Sequence, residues 1–135
     1  MRSPFQLEIM TRERCVLRAD VLELVAPGAD GYLGIWSGHA PLLTSLQLGV
    51  LTLEFPDGVR DRVAVTGGFL EATPEKSVVL AEAAERAEEI DRLRAEEARR
   101  RAEERLAEAQ LGHIDSDRAR KALARALNRL KTLEE

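Results

Sequence analysis

Short stretches of alternating apolar and polar residues fill the first eighty residues of the chain. Turn residues separate them, as at Pro56-Asp57-Gly58 and Gly67-Gly68. Strands at this spacing, without a helical period, are typical of an antiparallel sandwich or a flattened barrel. The predicted strands cover residues 6–11, 15–18, 20–26, 31–36, 42–48, 50–55, 62–66, 69–72 and 77–81.

The period changes after Ala83. A helical wheel places a row of mostly small residues on one face, namely Ala84, Ala87, Asp91, Ala95, Ala98, Ala102, Leu106 and Ala109. A second helix is predicted from about Asp115 to Leu133, with an apolar stripe of Ala119, Leu123, Ala126, Leu130 and Leu133. We predict a turn at Leu111-Gly112-His113, with Gly112 in a left-handed conformation.

The sequence therefore predicts two domains. Residues 1–83 form an all-β flattened sandwich or barrel, and residues 84–135 form a C-terminal antiparallel α-helical hairpin, because two helices joined by so short a loop must run antiparallel. The segments Ile90-Asp91-x-x-Arg94-Ala95 and Ile114-Asp115-x-x-Arg118-Ala119 repeat one pattern. An aspartate at a helix N-terminus with isoleucine just outside explains both without any function.

Composition separates the same two parts. All five prolines and eight of the nine glycines precede residue 75, and the aromatic residues all lie in the β part. The net charge is −4, so the basic excess of a nucleic-acid-binding protein is absent, although residues 118–131 carry six basic residues and no acid.

The single Cys15 excludes an internal disulfide and is predicted to pack in the core. No apolar run is long enough to cross a bilayer and no signal-peptide core is present, so we expect a soluble chain in a reducing compartment.

The loop-rich segment from Gly31 to Leu43 does not support enzyme chemistry. It has neither the Gly-Lys-Ser/Thr of a phosphate-binding loop nor a strand-to-helix switch. His39 has no cysteine or carboxylate at a metal-ligand spacing, so a hydrogen-bonded turn histidine is expected. We predict no catalytic residue and no metal site.

Arginines of the two predicted helices are expected to converge. Arg118, Lys121, Arg125 and Arg129 form one row on the second helix, and Arg94 and Arg101 flank the alanine face of the first. An antiparallel hairpin would bring Arg94 and Arg101 toward Arg125 and Arg129, with Glu85 and Asp91 nearby. Two interpretations remain open from the residues alone: weak surface ion pairs within the hairpin, or a site for a polyphosphate.

Three segments of the chain carry longer motifs. They are Gly31-x-Leu33-Gly34-Ile35-x-x-Gly38-His39-Ala40-Pro41-Leu42-Leu43-Thr44, Val65-Thr66-Gly67-Gly68-Phe69-Leu70-Glu71 and Ala83-Ala84-Glu85-Arg86. Together they resemble a known family, the epsilon subunit of the bacterial F-type rotary ATP synthase. The resemblance runs in order along nearly the whole chain and implies a sandwich followed by a helical hairpin.

The resemblance implies a non-catalytic central-stalk subunit at the cytoplasmic face of the cell membrane, coupling proton flow to ATP synthesis. Its expected partners are the gamma subunit, the c-subunit ring, and the alpha and beta subunits of the catalytic head. The docking residues would be Gly31, Tyr32, Leu33, Gly38, His39 and Pro41. Tyr32 departs from the family, whose members often carry an acidic or polar residue there, so which ring residues are contacted stays open.

The family's hairpin either folds or extends into the catalytic head, where it blocks ATP hydrolysis. Some members of the family bind ATP as a regulatory ligand. The positions of this chain that match their ATP-binding residues are Glu85, Ile90, Asp91, Arg94, Ala95, Arg101, Arg125 and Arg129. In an extended hairpin, Arg118, Lys121 and Arg125 would contact the head. Two alternatives remain: a static stalk subunit that binds no nucleotide, and an unrelated coiled-coil adaptor whose sandwich binds a ligand.

Overall fold

The computed structural model describes residues 2–112 and 115–134. Its contacts divide the chain into two compact units, Met1–Ala87 and Glu88–Glu135. The division falls four residues beyond the boundary expected from the sequence, between residues 83 and 84. The first unit is called the sandwich below, and the second is called the hairpin.

Among its described residues the sandwich has ten strands, and its fold class agrees with the prediction. The strands are β1 (Phe5–Met10), β2 (Cys15–Val21), β3 (Glu23–Gly28), β4 (Gly31–Ile35), β5 (Leu42–Leu46), β6 (Gly49–Glu54), β7 (Arg60–Val65), β8 (Gly68–Ala72), β9 (Lys76–Ala81) and β10 (Ala84–Arg86). Neighbouring strands follow the order β10-β7-β6-β3-β5-β8-β9-β1-β2, with β4 paired to β3. Among these strands the pairing is antiparallel except between β1 and β9, where Gln6 lies beside Lys76 in a parallel register.

Alternate residues of these strands form one core. Side chains on one face of each strand point inward and those on the other face point to solvent, which is the period that the sequence shows. The largest fully buried side chains include Leu7, Ile9, Leu24, Ile35, Leu51, Leu53 and Leu70. The predicted turn between β6 and β7 is also confirmed: Gly58 has φ +87°, and Phe55 and Val59 pair across it at 2.9 Å.

The prediction for Cys15 is wrong, because its side chain is exposed. The register between β1 and β2 shifts at Ile9 and Met10, so Cys15 pairs with Met10 while Leu17 pairs with Ile9. The extra residue of the bulge, Val16, is buried in place of Cys15. The apolar run forms a strand, as predicted, but the bulge decides which residue of the run enters the core.

The prediction of a helix from residue 84 is also wrong. Ala84–Arg86 form strand β10, Ala87–Glu89 form a single 3₁₀ turn, and the first long helix begins only at Arg92. Alanine and glutamate favour helix, but the preference amounts to a few tenths of a kcal/mol per residue. Pairing with β7 overrides it, with Ala84 opposite Val65 and Arg86 opposite Val63.

The hairpin contains two helices, α1 (Arg92–Gln110) and α2 (Ser116–Thr132), which pack against each other. Both predicted caps are confirmed: the Asp91 side chain accepts a hydrogen bond from the Arg94 N–H, and that of Asp115 accepts one from the Asp117 N–H. Gly112 has φ +84°, as predicted for the end of α1. The predicted turn residue His113 and the predicted staple Ile114 lie outside the described residues.

The hairpin buries mostly small side chains. Helix α1 buries only Ala95 and Ala102 among its residues, and both belong to the predicted alanine face. Helix α2 buries Ala119 and Ala126 of the predicted stripe, together with Asn128 and Thr132, which the stripe did not include. The Thr132 hydroxyl donates to the Asn128 carbonyl at 2.7 Å, so burial leaves this hydroxyl satisfied.

Candidate functional site

A cleft lies between the helices of the hairpin, near the end where they are connected. Its volume is about 670 Å³. Helix α1 contributes its last turns and α2 its first turns, because the antiparallel arrangement brings these segments side by side. The lining residues are Arg105, Glu108, Asp115, Arg118, Ala119, Ala122 and Arg125.

Positively charged residues outnumber negatively charged ones in the lining of this cleft. Three guanidinium groups, from Arg105, Arg118 and Arg125, share it with the carboxylates of Glu108 and Asp115. Guanidinium groups present several donors in a plane, an arrangement that matches the oxygens of a phosphate. The cleft therefore has the donor chemistry of an anion site, and the small side chains of Ala119 and Ala122 leave room for a ligand beside those donors.

Two of the arginines singled out in the sequence line the cleft, Arg118 and Arg125. Sequence reasoning missed Arg105 and Glu108, which come from α1. Arg105 lies one turn after Arg101, and this spacing was the available signal. This signal did not distinguish Arg105, because arginine and glutamate alternate along α1 and every face of that helix outside the alanines carries both charges.

The predicted nucleotide-binding residues on α1 and immediately before it do not line the cleft. Arg101 Nε lies 3.4 Å from Glu97 Oε1, on its own helix, and Arg94 is exposed. Asp91 caps α1 through the bond from the Arg94 N–H at 3.1 Å. Ile90 and Ala95 are buried.

Ion pairs run along the exposed face of α1. Arg100 contacts Glu97 and Glu104, each at 2.6 Å, and Arg99 lies 3.3 Å from Glu103. The hydrogen bond from Arg100 holds the pKa of Glu97 below its usual range. The same contacts raise the pKa of Arg100, with the Glu97 hydrogen bond as the main cause. These pairs stabilise α1 from within the helix, since residues three or four apart are neighbours on its surface.

The other predicted residues are distributed over both units. Glu85 lies in β10 of the sandwich, opposite Ala64 of β7. Arg129 of α2 is half-buried. Lys121, predicted to contact the catalytic head, lies 3.5 Å from Asp117, and both side chains are well exposed.

The predicted docking residues lie on and after strand β4. Gly31 has φ +125° and begins the strand, Leu33 is half-buried, and the Tyr32 side chain is 55% exposed. The Tyr32 hydroxyl accepts a hydrogen bond from the Val50 N–H at 3.1 Å. A Cβ on Gly49 would come within 2.7 Å of that hydroxyl, so only glycine leaves room for the Tyr32 side chain there.

Backbone hydrogen bonds shape the loop after β4. Gly38, with φ +81°, donates its N–H to the Pro74 carbonyl at 2.8 Å. His39 Nδ1–H donates to the Ala40 carbonyl at 2.7 Å, which confirms the expected hydrogen-bonded turn histidine. Pro41 follows, exposed, immediately before β5. The Trp36 indole N–H donates to Glu23 at 2.5 Å, while the Trp36 side chain stays 54% exposed.

An apolar area also lies on the outer face of β5, β8 and β9. Phe69 and Leu80 are opposite each other across β8 and β9, and each is more than half exposed. Leu43 of β5 is 70% exposed. Exposed apolar side chains grouped in this way are typical of a surface that contacts another protein.

Neither a metal site nor a membrane-crossing helix occurs in the part of the chain that the structure describes. Within residues 2–112 and 115–134, no group of three or more histidine, cysteine, aspartate or glutamate side chains could hold a metal ion. In the same ranges, α1 and α2 are too polar to span a bilayer.

Comparison with known proteins identifies both units. The model of the ATP synthase delta/epsilon chain β-sandwich domain matches residues 4–87, and that of the long α-helix domain matches residues 88–134. The two matches meet where the contacts divide the chain.

Several similar proteins are bacterial ATP synthase epsilon chains. That of Moorella thermoacetica is 53% identical over 125 residues, covering 93% of this chain and 92% of the relative. That of Symbiobacterium thermophilum is 51% identical over 126 residues, with 93% and 89% coverage. That of Pelotomaculum thermopropionicum is 57% identical over 102 residues, with 76% and 75% coverage.

Solved structures show the same fold at lower identity. A chain in the OSCP/F1/c-ring assembly of the Euglena gracilis mitochondrial ATP synthase aligns with a TM-score of 0.81 at 20% identity, covering 99% of this chain and 84% of that one. A chain in the central stalk and c-ring of the Tetrahymena thermophila enzyme aligns with a TM-score of 0.60 at 16% identity, with 98% coverage of both. From the family models and the bacterial relatives together, the chain belongs to the ATP synthase delta/epsilon chain family, as an epsilon chain.

Proposed function

We propose that this epsilon chain works in the central stalk of a bacterial F-type ATP synthase, at the cytoplasmic face of the membrane. Its sandwich docks on the gamma subunit and the c-ring and takes part in coupling proton flow to rotation. Two kinds of surface on the sandwich support this role: the segment from Gly31 to Pro41, and the apolar area around Phe69 and Leu80. Because the chain belongs to the ATP synthase delta/epsilon chain family, it is not an unrelated coiled-coil adaptor.

The hairpin is the regulatory part in this proposal. It inhibits ATP hydrolysis when it extends toward the alpha and beta subunits, where Arg118, Lys121 and Arg125 make contacts. Bound ATP opposes extension by stabilising the packed hairpin. The observation that carries the proposal is the cleft between α1 and α2, which gathers three arginines in a hairpin whose first helix buries only alanines.

Energetics make such a switch feasible. Burying an alanine side chain stabilises by about 0.8 kcal/mol, against about 1.5–3 kcal/mol for a leucine, so the α1 contacts are weak. A ligand that binds only the packed hairpin stabilises it by roughly 2–3 kcal/mol when its concentration is about a hundredfold above Kd. A contribution of that size is enough to shift an equilibrium between two conformations of similar free energy.

The residues proposed for ATP form two sets, which lie toward opposite ends of α1: the cleft arginines and the residues nearer its start. Arg125 lies in both sets, whereas Glu85, Ile90, Asp91, Arg94, Ala95, Arg101 and Arg129 are proposed from the family resemblance. ATP is the proposed ligand because it is the polyphosphate that the enzyme itself handles. The competing proposal is a static hairpin that binds no nucleotide.

Deletion of the hairpin tests the regulatory role. Residues 88–135 would be removed, leaving the whole sandwich with β10, and the truncated chain would be assembled with the other subunits. We expect ATP hydrolysis to rise while the truncated chain still binds gamma, because the docking surfaces lie in the sandwich. Unchanged hydrolysis in a correctly assembled complex would favour the static hairpin.

A further inference from the structure

Strand β10 is attached to the sandwich by a short ladder. Three residue pairs join it to β7, with Ala84 opposite Val65, Glu85 opposite Ala64 and Arg86 opposite Val63. A slip by one residue would reverse the face on which every side chain of β10 lies. Burial of Ala84 in the core opposes such a slip, and two side-chain contacts add to this effect.

An ion pair holds the end of β10 that leads to the hairpin. Arg86 donates from Nε and Nη2 to one carboxylate oxygen of Asp61, at 3.0 and 2.8 Å. The other oxygen of Asp61 accepts the Arg62 N–H at 2.8 Å, so both oxygens are engaged. The two side chains are only 25% and 16% exposed, which makes this a stronger contact than a typical surface pair.

A second contact holds the beginning of β10. Arg14, in the turn between β1 and β2, donates from Nη2 to the Ala84 carbonyl at 3.1 Å. Strands β2 and β10 are the two ends of the strand order, and they do not pair with each other. The Arg14 side chain thus bridges the gap between the two ends of the sheet at Ala84.

The register determines where Glu85 points. Ala84 and Arg86 share the inner face of β10: Ala84 belongs to the core, and Arg86 reaches Asp61 on β7. Glu85 lies on the opposite face because side chains alternate along a strand. A one-residue slip would turn Glu85 inward and remove Arg86 from Asp61.

We propose that Asp61 and Arg14 are positioning residues that lock the register of β10 and thereby fix the side on which Glu85 is presented. This inference rests on the proposed function, in which Glu85 takes part in ATP binding. Neither Asp61 nor Arg14 touches the ligand in this account. They act through β10.

Amide hydrogen exchange of the full-length chain tests the register lock. Asp61→Ala removes the ion pair from β7, and Arg86→Met removes it from β10 while keeping an apolar stem. We expect exchange at residues 84–86 to become about tenfold faster or more in both variants, because a hydrogen bond to a charged group contributes enough for a factor of that order. Parent-like exchange in both variants would overturn the proposal.

Glu54→Ala is the matched control. Glu54 accepts a forked pair of hydrogen bonds from Arg2 at 2.9 and 3.0 Å, and its side chain is 13% exposed, close to the value for Asp61. It lies on β6, and its ion-pair partners are Arg2 and Arg60. Exchange at residues 84–86 should stay at the parent rate in this variant, and an equal acceleration there would mean that general loosening of the sandwich is being measured.

The affinity for ATP distinguishes the proposed positioning role of Asp61 from a purely structural role, which would leave that affinity unchanged. Asp61→Ala should raise the apparent Kd for ATP several-fold, Glu54→Ala should leave it unchanged, and the exchanged pair Asp61→Arg with Arg86→Asp should restore it. If amide exchange at residues 84–86 became faster while the affinity for ATP stayed unchanged, the register of β10 would not control the contribution of Glu85 to ATP binding. A parent chain that binds no ATP would refute the proposed nucleotide site, while the exchange rates would still decide whether Asp61 locks the register.

Discussion

Glu8 of β1 lies between two cations on the surface of the sandwich. Its Oε1 is 3.0 Å from Lys76 Nζ on β9 and 3.3 Å from Arg18 Nε on β2. The hydrogen bond from Lys76 is the main cause that holds the pKa of Glu8 below its ordinary value, and the charge of Arg18 adds to it. Three neighbouring strands are thus joined by one carboxylate.

The depressed pKa of Glu8 predicts an acid-dependent contribution to stability. A carboxylate whose pKa is lower in the folded state stabilises it fully above the unfolded value of about 4.3, and this contribution is lost as the pH falls through the folded pKa. Glu8→Gln should therefore lower stability at neutral pH and make the loss of stability below about pH 4.3 shallower.

Urea unfolding at a series of pH values measures this effect. Glu71→Gln, a change at an exposed glutamate on β8, serves as the control for the loss of one surface carboxylate. If the free energies of unfolding of the parent and of Glu8→Gln fall in parallel down to low pH, the contact between Glu8 and Lys76 does not contribute to the acid dependence of stability.

Ser77 is a buried polar residue of β9 that offers a second test. Its side chain is fully buried, and Oγ has no hydrogen-bond partner among the residues that the structure describes. Ser77→Ala should raise the free energy of unfolding by about 1 kcal/mol, since it removes the cost of an unsatisfied hydroxyl. Denaturant midpoints measure the change, with the exposed Ser45→Ala as control, and a loss of stability would indicate that Oγ is satisfied in solution.

At the scale of elements, β10 decides where the sandwich ends. A chain that stops after Ala83 lacks β10 and leaves β7 with an unpaired edge, whereas a chain that stops after Ala87 keeps the whole ladder. We expect the shorter fragment to unfold at a lower temperature and to aggregate more readily, because an exposed strand edge pairs with other chains. Thermal unfolding of the two fragments measures this, and equal midpoints would show that β10 contributes nothing to the sandwich.

Most elements could be predicted from the sequence, because strand alternation and helix caps are local signals. The strand period located β1 to β9 to within a few residues, and Asp115 marked the start of α2, whereas the start of α1 was predicted too early, at residue 84. Strand β10 could not be predicted, since Ala84-Glu85-Arg86 forms a strand only through its pairing with β7. The parallel pairing of β1 with β9 likewise depends on residues seventy positions apart, such as Gln6 and Lys76.

The candidate site was predicted only in part for a similar reason. The row of basic residues on α2 is periodic, and Arg118 and Arg125 from that row line the cleft. Arg105 and Glu108 come from a helix in which arginines and glutamates occupy most exposed positions, so spacing did not distinguish them. Which α1 residues face the cleft depends on how the two helices pack, and no local pattern encodes it.

At the scale of the whole molecule, the chain joins two units that differ in the side chains they bury. The sandwich has a core of fully buried leucine, isoleucine and valine side chains, whereas α1 buries only two alanines and carries a series of ion pairs along its exposed face. Pairs within a helix stay formed when the helix leaves its neighbour. If the hairpin extends as proposed, we therefore expect α1 to keep its helical conformation.

The most direct test of this account is a titration of ATP into the full-length chain, followed by thermal unfolding of the hairpin. The measurement would compare the parent with Arg125→Ala, which removes a cleft arginine, and with Arg99→Ala, which removes an arginine of α1 that does not line the cleft. We predict that millimolar ATP raises the unfolding temperature of the parent and of Arg99→Ala, and has a much smaller effect on Arg125→Ala. If ATP leaves the unfolding temperature of the parent unchanged, or stabilises all three chains equally, the cleft does not regulate the hairpin.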